Sequence, residues 1–295
     1  MKQNEINVLS LFDGISVAQL ALSQLGIKVE NYYASEIDEN AIRVTHHHFP
    51  DTVQLGDVRS INASKLPQID LLIFGSPCQD MSSINKNRKG LSGEKSSLFH
   101  EAVRILNEVK EKNPSVYFLM ENVASMSASD RDIISEILGV KPIKINSEEY
   151  APAKRNRYYW TNIPQDKSIK KKNYTPLKYY LESGYTERVR ANCITTRPVS
   201  LTKKGLLRYL KKSFGQVVWT DEDFCKLPSK KKIEMIENDE VKPNEIARLM
   251  TKVELCSMQG FPDDYLNILS YNQAHHAIGN AFTLPVIKNI LLSTM

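Results

Sequence analysis

Short apolar runs alternate with helical patterns through the first 150 residues, the arrangement of a mostly parallel sheet covered on both faces. Ile6-Asn-Val-Leu-Ser-Leu11 predicts the first strand, which ends at Phe12-Asp13-Gly14-Ile15-Ser16. Ala18, Leu20, Ala21, Leu22 and Leu25 then repeat at helical spacing up to Gly26, a stop signal. Residues 29–35 predict a second strand leading into Glu36-Ile37-Asp38, followed by a helix over 39–47. Val53-Gln-Leu55 runs to Gly56-Asp57-Val58, and Asp70-Leu-Leu-Ile-Phe74 predicts a buried strand. After a polar loop at 85–95 come an amphipathic helix over 97–112, a strand over 116–120, and a helix over 130–138. Tyr158-Tyr-Trp160 predicts the start of one more strand.

The alternation fades near Pro164. Regular patterning returns as a helix over 246–258, the turn Gly260-Phe261-Pro262, and Gly279-Asn280-Ala281-Phe282 opening a last helix over 284–292. The chain is therefore expected to be α/β, with a Rossmann-like doubly wound sheet and a small inserted domain. The boundaries read as 1–165 for the first catalytic part, 166–245 for the insert, and 246–295 for the return.

Composition adds little to this until charge is mapped. The 295 residues are 41% hydrophobic and 25% charged, ordinary for a globular chain and against disorder. No apolar stretch reaches the length of a membrane span, and the N-terminus lacks a signal-peptide pattern. Four cysteines (Cys78, Cys193, Cys225, Cys256) stand far apart with no Cys-x-x-Cys pair. Neither a metal site nor a disulfide framework is expected, and a reducing cytoplasm is. The net charge is +5, yet residues 166–232 hold seventeen Lys and Arg against six Asp and Glu. That asymmetry suits a phosphate-backbone binder. Lysine runs are more often solvated faces, but Tyr174, Tyr179, Tyr180, Tyr185, Tyr209 and Trp219 interleave with these charges.

Candidate chemistry collects at strand ends, where ligands bind in open α/β sheets. Gly75-Ser76-Pro77-Cys78-Gln79 puts one thiol behind a tight turn, and Glu121-Asn122-Val123 puts a carboxylate behind another strand. A buried cysteine is usually a small hydrophobe, and a carboxylate at a strand end is often a helix cap. Together they suit nucleophilic attack on an electron-poor ring such as cytosine, with an acid to protonate it. Phe12, Asp13 and Gly14 permit close backbone approach to a nucleotide-type ligand. Glu36 with Ile37 is placed to hold ribose hydroxyls, and Asp57 with Val58 to accept from an adenine amino group.

With these motifs in hand, the chain closely resembles the DNA (cytosine-5) methyltransferases. The resemblance rests on Pro77-Cys78, Glu121-Asn122-Val123, Arg155-Asn156-Arg157, Gln259-Gly260-Phe261-Pro262 and Gly279-Asn280, all in the family's order. Ser76-Pro77-Cys78, the run Arg157-Tyr158-Tyr159-Trp160 and Ile194-Thr195-Thr196-Arg197 are similar to the animal de novo enzymes, while the compact length resembles bacterial or phage members. Ser16 stands for the family's second glycine, and Ala153 for a glutamine common before the arginines. The resemblance implies Cys78 as nucleophile, Glu121, Arg157 and Arg155 at the cytosine ring, and S-adenosyl-L-methionine against the strand ends, with Pro77 and Asn280 added. It implies double-stranded DNA as partner, met by the insert through Thr195, Thr196 and Arg197 and by Ser82 and Arg88. It also tips loop 85–95 from an ordinary surface loop towards a lid over a flipped base.

A monomer, cytoplasmic and nucleoid-associated in a bacterial or phage-infected cell, is the expected form, with a cognate restriction endonuclease as a further partner. Two rival readings are a tRNA cytosine-5 methyltransferase and a catalytically silent DNA-binding homologue. The long basic insert, Ser-Pro-Cys, and the absence of a Cys-Phe-Thr tripeptide favour DNA over tRNA. The joint presence of Cys78, Glu121 and Arg157 argues against a silent homologue. His46-His47-His48 reads as a solvated helix end, and His275 and His276 are given no role.

Overall fold

Leu71, Leu72, Ile73 and Phe74 are all buried, as a strand covered on both faces requires. They lie at the middle of a seven-stranded sheet in the computed structural model, which describes residues 5–77, 97–165 and 175–292. In chain order the elements are β1 (Ile6–Leu11), α1 (Val17–Gln24), β2 (Val29–Ser35), α2 (Glu39–His48), β3 (Val53–Gln54), β4 (Leu71–Phe74), α3 (Ser97–Lys112), β5 (Tyr117–Val123), α4 (Ala128–Leu138), β6 (Ile143–Asn146) and β7 (Asn156–Thr161). The strand order is β3-β2-β1-β4-β5-β7-β6, so the chain reverses direction across the sheet between β1 and β4, a topological switch point. The first five strands pair in parallel, whereas β7 runs antiparallel to both β5 and β6. α3 contributes Phe99, Ala102, Ile105, Leu106 and Val109 to one buried cluster with Leu72, Phe74 and Phe118.

The chain divides into two units, the first comprising 1–146, 156–170 and 286–295 and the second 147–155 and 171–285. The second contains α5 (Lys203–Lys212), β8 (Val218–Trp219), α6 (Glu222–Lys226), α7 (Ser229–Glu237), α8 (Pro243–Ile246), β9 (Ala247–Arg248), α9 (Lys252–Gln259) and α10 (Tyr271–Asn280). α11 (Leu284–Leu291) passes back into the first unit at Val286. Trp219 centres the second core, with Tyr209 and Phe224 rings at 5.9 and 5.1 Å. Glu187 accepts from the Trp219 indole and, at 3.1 Å, from the Tyr209 hydroxyl. The buried Lys232 ammonium donates to the Cys225 carbonyl at 2.7 Å. Tyr209, Trp219 and Lys232 are thus interior residues, so these members of the basic, aromatic-interleaved segment serve its core and not a phosphate backbone.

Three element boundaries also differ from the sequence expectation. Glu121, Asn122 and Val123 lie inside β5 because pairing with β7 extends the strand past β4. The helix expected over 246–258 starts only at Lys252, since Ala247 and Arg248 pair with β8. Thr251 and Glu254 form a reciprocal capping box there, a signature readable in the sequence. Gly279 and Asn280 close α10 instead of opening the last helix.

Candidate active site

Parallel register sets Phe74 beside Met120, so Gly75-Ser76-Pro77 leaves the sheet alongside Glu121 and Asn122. Asn122 is buried and donates to both the carbonyl and the hydroxyl oxygen of Ser76 at 3.2 Å. The next residue, Cys78, lies outside the described residues, as do Ser82, Arg88 and the whole of loop 85–95. The structure therefore describes the turn up to Pro77.

Glu121 is 8% exposed, a cost for a charge unless a partner compensates it. The partner is Arg157. In the β5–β7 ladder Glu121 faces Tyr159 and Val123 faces Arg157, which puts Glu121 and Arg157 diagonally on one side of the sheet. Arg157 Nε lies 2.7 Å from Glu121 Oε1, with both side chains mostly buried. Period-two alternation thus aims a fixed carboxylate and a fixed guanidinium to the same side.

The β1 turn is strained and closely braced. Phe12, Gly14 and Ser16 all have φ between 56 and 59°, and two of these three carry side chains that disfavour that region. Glu36, just past β2, accepts from the amides of Gly14 at 2.8 Å, Ile37 at 2.7 Å and Asp38 at 2.9 Å. A carboxylate offers about four acceptor positions, so one is left for a ligand. Ile37 beside it is 70% exposed. Nothing lies within 4 Å of where a Cβ on Gly14 would sit.

Asp13 takes a different part from the one expected. Its carboxylate is buried, accepting from Ser16 Oγ at 2.6 Å and Tyr32 Oη at 2.8 Å. Burial pushes its pKa up to about 6, against the hydrogen bonds from Ser10, Ser16 and Tyr32 that lower it. It supports the turn from behind, and its bond to Ser16 accounts for a serine at a left-handed position. Asp57 caps the short turn at Val58–Ser60 and pairs with Arg59 at 2.9 Å, which holds its carboxyl below the usual range. Val58 is buried in the core.

Arg155, Thr195, Thr196, Arg197 and Asn280 belong to the second unit. Arg155 is buried and donates to the Gly279 carbonyl at 3.1 Å, an interaction with the C-terminal turn of α10. Arg197 is exposed, and its carbonyl accepts from Thr195 Oγ1 at 2.9 Å. A Cβ on Gly279 would meet the Thr195 carbonyl at 2.4 Å, so α10 lies directly against that loop. His275, one turn earlier, hydrogen-bonds the Thr195 main chain, and burial pulls its pKa down to about 4. Sequence reasoning missed His275, which has no distinguishing spacing. It named Gln259 only as part of a motif, with no role; the Gln259 amide spans the Ile278 carbonyl at 2.6 Å and Thr283 Oγ1 at 2.9 Å.

A family model described as C-5 cytosine-specific DNA methylase matches residues 6–151 and 131–294. The orphan methyltransferase M.SPRI of Bacillus phage SPR is 33% identical over 174 residues, 55% of this chain and 38% of that protein. The chain thus aligns with well under half the length of this phage relative. The type II methyltransferase M.Bsp6I of Bacillus sp. (strain RFL6) is 25% identical over 321 residues, 97% of each chain. Among solved structures, S. pombe Dnmt2 methyltransferase superposes with a TM-score of 0.71 at 17% identity over 98% of both chains. The Entamoeba histolytica methyltransferase EhMeth gives 0.70 at 17% identity, over 99% of this chain and 98% of that one. At such identity the structural likeness speaks for the fold.

Proposed function

Since the chain belongs to the C-5 cytosine-specific DNA methylase family, we propose that it methylates carbon 5 of a cytosine within a specific duplex DNA sequence, using S-adenosylmethionine. The observation that carries this reading is the Glu121–Arg157 pair, 2.7 Å apart beside the turn that leads to Cys78. Carbon 5 is hidden in the base stack, so the cytosine is flipped out before reaction, at a cost of about a few kcal/mol. Cys78, as thiolate, adds to carbon 6 of the ring. Glu121 meets the ring nitrogen and the exocyclic amino edge, supplying the proton that keeps charge from building. Arg157 keeps that carboxylate in place and offers its remaining donors to the O2 edge. Once carbon 5 carries the methyl group, its proton passes to a base such as water, Cys78 leaves carbon 6 as thiolate, and Glu121 takes back the ring-nitrogen proton, which restores the aromatic ring.

The cofactor fits the β1–β2 strand ends. Glu36 keeps one acceptor position for a ribose hydroxyl, exposed Ile37 offers an apolar surface to the adenine, and Gly14 leaves room for close approach. When bound, S-adenosylmethionine supplies an activated methyl on a sulfonium centre, so no metal is needed. Phe12 and Gly14 shape the turn, and Asp57 is the acceptor for the adenine amino group only if Arg59 shares it. Residues 195–197, with Arg197 exposed, supply DNA recognition.

The test is methyl incorporation from labelled S-adenosylmethionine into duplex DNA and, separately, into total tRNA. Incorporation into duplex DNA, lost in Cys78→Ser, is expected, along with a covalent adduct on DNA carrying 5-fluorocytosine. Labelling of tRNA alone, or full activity of Cys78→Ser, would overturn the proposal. Bisulfite sequencing of DNA from expressing cells identifies the target.

A further inference from the structure

The basic character of the second unit is not spread evenly, and α5 separates it into two kinds. Five of its ten residues are cations. Lys203 and Lys211 are satisfied internally. Lys203 Nζ lies 2.8 Å from Asp239 Oδ2 and 2.6 Å from the Glu237 carbonyl, and Lys211 Nζ lies 2.5 Å from Glu237 Oε1. Lys204, Arg208 and Lys212 recur every fourth residue along another side of the helix, and all three are exposed. Among the described residues none of the three has an acidic partner within ion-pair distance. Arg208 is stacked on the Phe214 ring, 3.6 Å from its centroid, which fixes the guanidinium plane while leaving its edge free to donate.

Three further features say what this stripe is for. At 1.5 Å per residue it extends about 12 Å, the axial rise of about three to four nucleotides of one strand. Lys204 lies in the first turn of α5, which contains no acidic residue, where the helix dipole opposes a cation and an approaching anion relieves the conflict. The helix is also fixed to the loop that carries Thr195, Thr196 and Arg197. A Cβ on Gly205 would sit 1.9 Å from the Ser200 carbonyl, so the first turn of α5 rests on that loop's exit. Val199 is buried in the same cluster as Leu206 and Tyr209 of α5.

We propose that Lys204, Arg208 and Lys212 bind three phosphates within a stretch of about four nucleotides of one DNA strand, and that α5 thereby sets the register in which residues 195–197 meet the bases. Phosphate contacts position and base contacts specify, and here the two functions sit on one rigid piece. The proposal rests on the DNA-methylating reading above.

The test measures duplex DNA affinity against salt concentration by fluorescence anisotropy with the full chain. The triple variant Lys204→Ala, Arg208→Ala, Lys212→Ala is compared with the double variant Lys203→Ala, Lys211→Ala. Alanine is the best helix former, so α5 is retained, and circular dichroism checks it. The triple variant is expected to lose about 2.7 from the slope of log affinity on log salt, about 0.9 for each phosphate released. The double variant is expected to lose less than one such step, with the methylated sequence unchanged in both. Equal losses would reduce the stripe to bulk charge and overturn the proposal, as would a triple variant with the wild-type slope on DNA that the wild type still methylates. Stripe-dependent binding to tRNA with none to duplex DNA would instead overturn the DNA reading, and the proposal with it.

Discussion

Asn122 Nδ2 reaches two oxygens of Ser76, the carbonyl and the hydroxyl, at 3.2 Å each, while its Oδ1 accepts from the Val123 amide at 2.8 Å. One buried amide thus fixes the turn two residues ahead of Cys78 relative to the strand that carries Glu121. Under the proposed function that turn leads to the nucleophile and that strand carries the acid, and small misplacements of reacting groups are costly.

Asn122→Ala should slow methyl transfer while leaving cofactor affinity intact. Each lost buried hydrogen bond is worth about 1 kcal/mol net, and about 1.4 kcal/mol is tenfold in rate. A decrease of about 10- to 100-fold in single-turnover rate is expected. An unchanged rate would show that the turn holds without this brace.

Glu36→Ala should weaken S-adenosylmethionine binding by about one to two orders of magnitude, from the loss of a charge-assisted hydrogen bond worth about 1.5–3 kcal/mol. It also strips the amides of Gly14, Ile37 and Asp38 of their shared acceptor. DNA binding should change far less. Calorimetric titration of the cofactor decides this, and an unaltered dissociation constant would remove Glu36 from the pocket.

Asp13 makes stability depend on pH in an unusual direction. Its pKa of about 6 in the folded protein exceeds the ordinary 3.8, so the native state holds the proton more tightly. Stability from this group therefore falls as pH rises from about 4 to about 6, with a full cost of about 3 kcal/mol above that window. Asp13→Asn, whose amide still accepts from Tyr32, escapes the cost. Its melting temperature should exceed that of wild type at pH 7.5, with the gap closing towards pH 4. Parallel melting across that range would show that the ionised carboxylate carries no such penalty.

Gly279→Ala should disturb DNA recognition from a distance. The added methyl would meet the Thr195 carbonyl at 2.4 Å and the Thr196 amide at 2.6 Å, both main-chain atoms that yield poorly. Overpacking of this kind costs about 1–3 kcal/mol. Lower thermal stability and weaker specific DNA binding are expected together. Normal affinity for target DNA would show that α10 has no part in any DNA recognition by residues 195–197.

Much of this arrangement was legible in order and spacing. The strands β1, β2 and β4 and the helix α3 follow from apolar runs and amphipathic periods, which depend on local burial alone. The late helices were harder. Arg248 joins β9 and pairs with Glu254, a buried carboxylate six residues on, at 2.6 Å. A continuous helical pattern hid that break, although the capping box at Thr251 marked it.

By itself, then, the sequence determined the motif order, the parallel core and the candidates proposed for cytosine chemistry, because these follow from residue type and from periods of two and 3.6. The tertiary structure decided which charges are spent inside. Asp13 turned from ligand contact into a buried support, Trp219 and Lys232 went to a core, and Arg155 to the end of α10. It also left Lys204, Arg208 and Lys212 outward while Lys203 and Lys211 found carboxylates. Composition counts all these charges alike. Only a fold that brings residues 26 and 36 positions apart into contact says which of them remain for a partner.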